Sequence, residues 1–317
     1  MRSADPRRED GRRDAPPLVA IGPSAAPSWM SDAVRAAGAQ IVEPEEAEAL
    51  IWGSPRNAAL LRDTIDRAPQ VTWVQLPFAG IEPLVDVLDH DRVWTCGKGV
   101  YAEPVAELAL ALTLAGMRGV GRYARAAQWE APTGRNLIGA DVTVLGGGGI
   151  TEAFLRLLTP FDCRTTVVRR RVAEIEGADI VVGFDRYVEA IADADVVVLA
   201  LALTPETEGL LSREEFTQMR RDAWVVNVAR GRHIITEDLV WALDAEVIGG
   251  AALDVTDPEP LPGEHPLWRQ PNCIITPHVG NTPEMAVELL SERITTNVQR
   301  FAAGAPLVGI VDVDLGY

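Results

Sequence analysis

Short apolar runs alternate with amphipathic stretches along almost the whole chain, and no other pattern in it limits the fold as much. From Leu18 onward, LVAIG, QIVEP, ALIWG and TWVQL have the length and composition of strands. Between them, WMSDAVRAAGA and NAALLRDTIDRA read as helices. A second series starts at Asp141, with DVTVL, TTVVRRR, ADVVVLALAL, AWVVNVARG, VIGGAALDV and NCIITPH as strands. TEAFLRLLTPF, SREEFTQMR and TEDLVWALDAE are the helices of that series, the last with Thr236 and Asp238 giving it a capped start. Strand alternating with helix implies a parallel sheet with helices on its faces, an α/β fold. The length, 317 residues, suits two such domains at roughly 100–200 residues each. The stretch AEPVAELALALTLAGM has Pro104 in its first turn and is apolar on nearly every side, so it is expected to be a helix covered all round, in a core or at a subunit contact.

Composition narrows the partners. Acidic residues outnumber basic ones 46 to 29 and the net charge is −17, which argues against nucleic acid or an anionic membrane surface as a partner. No apolar run approaches the ~20 residues of a membrane span, and the N-terminus has no apolar core of a signal peptide. Cys96, Cys163 and Cys273 lie far apart with no metal-ligand spacing, which reads as free thiols in a reducing cytoplasm and no bound metal. Residues 1–16, MRSADPRREDGRRDAP, are polar and aperiodic and are expected to be a disordered tail.

The strand DVTVL runs into Gly146-Gly147-Gly148-Gly149-Ile150-Thr151, and a helical pattern follows. A glycine-rich turn between strand and helix is where a dinucleotide binds. One glycine allows the tight turn, a second lets the backbone approach the pyrophosphate, and the helix N-terminus receives its charge. Thr151 stands where the third glycine belongs, which is expected to set helix and strand slightly further apart. An acidic residue that would bind the ribose of NAD is expected roughly 20 positions on. Here the sequence has Arg169, Arg170 and Arg171, so a 2′-phosphate is the better partner and NADP(H) is favoured over NAD(H).

Three further strand ends carry polar groups. VVNVA runs into Arg230, GGAALDV into Asp254 and on to Glu259, and CIIT into His278 and Gly280. Ligands of open parallel sheets bind beyond such ends. A cation, an imidazole and a carboxylate at one edge suit the reduction of a 2-keto acid. The cation holds the substrate carboxylate, the imidazole gives a proton as hydride arrives, and the second carboxylate orients the imidazole.

The motifs VTVLGGGGI, LALTPETEGLLSREEFTQMRRDAWVVNVARG, GGAALDVTDPEPLPGEHPLW and NCIITPHVGNTPEM resemble those of the D-isomer-specific 2-hydroxyacid dehydrogenases. The resemblance runs from about residue 40 to the C-terminus. It implies two Rossmann-like domains, with the cofactor domain (104–283) inserted into a discontinuous substrate domain (17–103 and 284–317). It implies that Arg230 binds the substrate, that His278 paired with Glu259 transfers the proton, and that Asp254 holds the nicotinamide carboxamide. Gly146, Gly148, Gly149, Ile150, Thr204, Pro205, Val228, Ala229 and Gly280 would contact the cofactor. Phe78, Ala79 and Gly80 would receive the substrate. It further implies a homodimer built on the cofactor domains, and a substrate such as glyoxylate or hydroxypyruvate. A nicotinamide-sensing scaffold of corepressor type is the alternative, and a formate dehydrogenase a third reading. Trp52, Phe78 and Tyr101 are candidates for the substrate pocket.

Overall fold

The computed structural model describes residues 15–316, so most of the expected disordered tail, residues 1–14, lies outside the described residues. The chain divides into two compact units, one formed by the chain up to Tyr101 together with Thr282–Tyr317, the other by Ala102–Asn281.

The first unit opens with β1 (Leu18–Gly22), α1 (Ser28–Ala36), β2 (Gln40–Ile41), β3 (Ala49–Trp52), α2 (Ala58–Arg67), β4 (Trp73–Gln75) and β5 (Val93–Thr95). Its sheet is parallel throughout, in the order β2-β1-β3-β4-β5. The expected strand QIVEP survives only as Gln40–Ile41, and its residues are not fully covered. β3 is buried along its whole length, because helices cover both faces of a parallel sheet.

The second unit starts with α3 (Ala102–Met117) and α4 (Val120–Arg125). Then come β6 (Asp141–Leu145), α5 (Gly149–Leu158), β7 (Arg164–Arg169), β8 (Ile180–Gly183), α6 (Tyr187–Ala192) and β9 (Val196–Leu199). α7 (Arg213–Gln218), β10 (Trp224–Asn227), α8 (Thr236–Asp244), β11 (Gly250–Leu253) and β12 (Cys273–Ile275) complete it. The chain then returns to the first unit as α9 (Pro283–Ala302), which shares a core with Val34 of α1 through Leu290, Ile294 and Val298.

The second sheet is also all parallel, in the order β12-β11-β10-β9-β6-β7-β8. Every residue of β9 and β11 is buried. One face packs on α3 and α5 through Ala106, Ala109, Leu112 and Phe154, and the other on α7 and α8 through Phe216, Leu239 and Leu243. Burying each of these leucines and phenylalanines contributes about 1.5–3 kcal/mol, so these two layers carry the unit. The strand order reverses between β6 and β9, and the crevice beyond that point is where open sheets of this kind take their ligands.

Within the chain α3 is covered in part. Ala106, Ala109, Leu112 and Met117 are buried, but Leu108, Leu110 and Leu114 are only partly so. Thr236 does not cap α8. Ile235 is the capping position, and the Thr236 hydroxyl instead donates to the Asp257 carbonyl at 2.6 Å. Among the described residues no helix is long and apolar enough to cross a membrane.

Candidate active site

The glycine turn at the end of β6 is shaped by close approach. Gly146 has φ +113°, and a Cβ there would lie 2.2 Å from the Ala200 carbonyl oxygen beyond β9, so only glycine fits. Gly148 precedes α5, and the space where its Cβ would stand is open. Thr151 is fully buried and its hydroxyl donates to the Gly146 carbonyl at 2.8 Å. A hydrogen bond from helix to turn therefore occupies the place of the third glycine.

Arg169 ends β7 with its side chain against Gly147, 3.0 Å from where a Cβ of that residue would lie. It is half-buried and makes no ion pair with an acid among the described residues. Arg170 differs, because its guanidinium pairs with Glu206 at 2.9 Å. Arg171 is exposed. Thr204 and Pro205 sit in a tight turn beyond β9, where the Thr204 amide donates to the Thr207 hydroxyl at 2.8 Å.

Beyond β10, a residue that the sequence did not single out organises the turn. Asn227 is fully buried, accepts from the Ala229 amide at 3.0 Å and donates to the Arg230 carbonyl at 2.9 Å. Val228 and Ala229 are buried, and the Arg230 guanidinium donates to the Ala229 carbonyl at 2.7 Å. Gly231 follows with the Thr256 carbonyl only 2.0 Å from a would-be Cβ, which excludes any side chain there.

Asp254 and His278 form the third group. The Asp254 carboxylate is almost fully buried. Its Oδ1 accepts from the Thr276 hydroxyl at 2.6 Å and the Val279 amide at 2.8 Å, and its Oδ2 from the Gly280 amide at 2.9 Å. These bonds fix the loop that carries His278, whose backbone sits in the left-handed region at φ 54°. That conformation costs a non-glycine residue about 1–3 kcal/mol and persists only where neighbours impose it. The His278 amide donates to the Asp254 carbonyl at 2.8 Å, and its ring Nδ1 lies 2.8 Å from Glu259 Oε1. Half of the His278 side chain is open to solvent, so the ring is held on one side and accessible on the other.

In the first unit, Phe78, Ala79 and Gly80 follow β4. The Gly97 amide donates to the Phe78 carbonyl at 3.2 Å, and the Phe78 and Tyr101 rings are 6.0 Å apart. Phe78 is exposed. Trp52 is fully buried, and its expected place in a substrate pocket is corrected, since it is core beside Gly22. Tyr101 is buried too. Its hydroxyl donates to the Pro77 carbonyl at 3.0 Å, and burial pushes its phenol well above the usual range.

A cavity of about 680 Å³ lies elsewhere in the second unit, lined by Gly116, Arg135, Asp222, Trp224 and Asn272 among others. It sits at the strand starts and includes none of the candidate residues.

Sequence comparison agrees with this geometry. The profile of the D-isomer specific 2-hydroxyacid dehydrogenase NAD binding domain matches residues 108–280. A protein of Corynebacterium melassecola known by its position in the proB 3′ region is 39% identical over 260 residues, 80% of this chain and 86% of that one. Glyoxylate/hydroxypyruvate reductase A of Yersinia enterocolitica is 33% identical over 178 residues, a stretch that spans only 56% of either protein. The D-isomer specific 2-hydroxyacid dehydrogenase of Xanthobacter autotrophicus Py2, solved with NADPH and MES, superposes with a TM-score of 0.83 at 26% identity, covering 96% of this chain and all of that one. The chain belongs to the D-isomer-specific 2-hydroxyacid dehydrogenase family. The residues that match the family's NAD binding domain, 108–280, all lie in the second unit.

Proposed function

We propose that this protein is an oxidoreductase that interconverts a small 2-keto acid and its D-2-hydroxy acid, with glyoxylate or hydroxypyruvate as the keto acid. The observation that carries the reading is the 2.8 Å pair of His278 and Glu259, held at the same sheet edge as Arg230 and the glycine turn. The names of relatives support the substrate class.

The turn fits a dinucleotide, because Gly148 leaves the start of a ten-residue helix open to a pyrophosphate. Gly146, Gly149 and Ile150 shape that seat, Thr204 and Pro205 flank the adenosine, and Val228, Ala229, Asp254 and Gly280 line the nicotinamide side. The nicotinamide, when bound, supplies or accepts the hydride. The protein's own groups do the rest. Arg230 binds the substrate carboxylate and carbonyl, and the Ala79 and Gly80 amides beside Phe78 receive the carboxylate. His278 donates a proton from Nε2 to the oxygen that gains charge, while Glu259 keeps Nδ1 protonated and the ring in place. Asp254 supports that step through the loop it binds. Arg169 stands where an acid would hold the ribose of NAD, which favours NADP(H). The partly open side of α3 around Leu108 and Leu114, with the fully exposed Trp129, supports a homodimer. The charge and composition fit a cytoplasmic enzyme.

The test is a panel of 2-keto acids assayed with NADPH and NADH. The reading expects turnover of the smallest keto acids. Tight dinucleotide binding with no turnover of any of them would instead favour the scaffold.

A further inference from the structure

A second histidine sits next to Arg230 and has no part in the reaction above. His233 ends the short turn Gly231–His233 and is fully buried. Its Nδ1 lies 2.8 Å from the Thr207 carbonyl oxygen and its Nε2 3.2 Å from the Leu201 carbonyl oxygen. Carbonyls only accept. A neutral imidazole has one N–H and can satisfy one of them, whereas an imidazolium satisfies both.

The two carbonyls bracket Thr204-Pro205. The histidine's own backbone belongs to the Arg230 turn, with its amide donating to the Arg230 carbonyl at 3.3 Å. Two backbone bonds run alongside, from the Gly209 amide to the Arg232 carbonyl at 2.8 Å and from the Leu211 amide to the His233 carbonyl at 2.9 Å. The charged side chains on the two segments are Glu206 and Glu208 on one and Arg230 and Arg232 on the other. Glu206 pairs with Arg170, and Glu208 with Arg232. The Glu208–Arg232 pair joins the two segments at one point, and the imidazole meets carbonyls at both ends of Thr204-Pro205.

We propose that His233 is a positioning residue that locks the Thr204 turn to the Arg230 turn by donating from both ring nitrogens. Cofactor seating and the placement of the guanidinium are thereby set together. This rests on the reading that the two turns serve one ligand set. A displaced Thr204 turn loosens the adenosine side, and the same displacement moves Arg230, so both affinities depend on one buried ring.

The experiment measures NADPH dissociation by nicotinamide fluorescence, and KM and kcat for glyoxylate, on wild type and on His233→Leu, His233→Asn and His233→Gln. The leucine variant should raise the NADPH Kd and the glyoxylate KM together, each by about tenfold, the scale of one lost hydrogen bond. Asparagine keeps a donor near Nδ1 and should recover part of both. A purely structural residue would lower Tm and leave Kd and KM in place, and that result in a folded leucine variant overturns the proposal. A second readout needs no variant activity. In ¹⁵N-histidine spectra of the wild type at pH 7, one of the four histidines, assigned by its loss in His233→Gln, should show both ring nitrogens protonated. A bare ring nitrogen there overturns the double-donor arrangement even if the leucine variant fails to fold. Wild type that binds neither NADPH nor NADH would overturn the proposed function, and the spectrum would still decide the ring.

Discussion

The two edges of the seven-stranded sheet are both rich in charge, and they use it differently. At the strand starts, charges neutralise one another. Asp141 at the head of β6 pairs with Arg164 at the head of β7. Asp195, just before β9, meets Arg135 at 2.9 Å, and Asp222, just before β10, meets Arg135 at 2.8 Å and Arg220 at 3.1 Å. The guanidinium of Arg164 holds the Asp141 carboxyl below its ordinary range, and that of Arg220 does the same for Asp222. At the strand ends ion pairs also form, Arg170 with Glu206 and Arg232 with Glu208, but Asp254 and the Arg230 turn are held by backbone and neutral groups. Two amides and a hydroxyl donate to Asp254, and the Ala229 carbonyl accepts a hydrogen bond from the Arg230 guanidinium. The 680 Å³ cavity belongs to the first edge, so open volume alone does not mark the chemistry. What distinguishes the second edge is a fixed backbone that presents an accessible imidazole and a glycine turn.

The contrast can be broken by mutation, beginning with the largest effect. His278→Ala removes the proposed proton donor and should lower kcat by about 10²–10⁴-fold, the usual contribution of a general acid. Ordinary turnover of 2-keto acids by that variant would remove the strand-end site from the argument. Arg230→Gln removes the charge proposed to bind the substrate carboxylate, and on that role should cost about 10²-fold in kcat/KM. Steady-state kinetics with glyoxylate checks this, and a change confined to kcat would speak against carboxylate binding.

Arg169→Asp should move the NADPH to NADH ratio of kcat/KM by about one to two decades toward NADH, since the proposed charged hydrogen bond to the 2′-phosphate would give way to repulsion. If wild type already favours NADH, the arginine does not read the phosphate.

The strand-start edge should respond least. Asp222 is about half exposed, and its ion pairs should contribute less than about 1 kcal/mol. Its carboxyl is depressed in the fold, so the stability it adds is present above the ordinary carboxylate range and is lost as pH falls through the lower folded value. Asp222→Asn should therefore lower Tm slightly at pH 7, by an amount that fades as pH falls through the lowered folded value, with activity intact at neutral pH. A difference that persists in acid would refute the assignment.

Much of this was legible in the chain itself. β6, β9, β10 and β11 lie inside apolar runs, because a buried parallel strand is apolar on both faces. β8 and α6 escaped notice. β8 is a four-residue edge strand, partly exposed and set in a polar stretch, and α6 has only six residues, too few for a periodic signal. Thr236 looked like a cap because its residue type and place suited one, yet the Asp257 carbonyl, brought close by folding, claims its hydroxyl.

The sequence by itself determined the α/β alternation, the position of the glycine turn and the residue types at the strand ends, because periodicity and glycine tolerance are local properties of the chain. Only the tertiary structure decided that Thr151 ties helix to turn, that Asn227 supports Arg230, that Asp254 builds the His278 loop, and that His233 joins two turns. These are hydrogen bonds with exact directions. Most of them link segments that the chain keeps apart, and a bond of that kind leaves no period in the sequence.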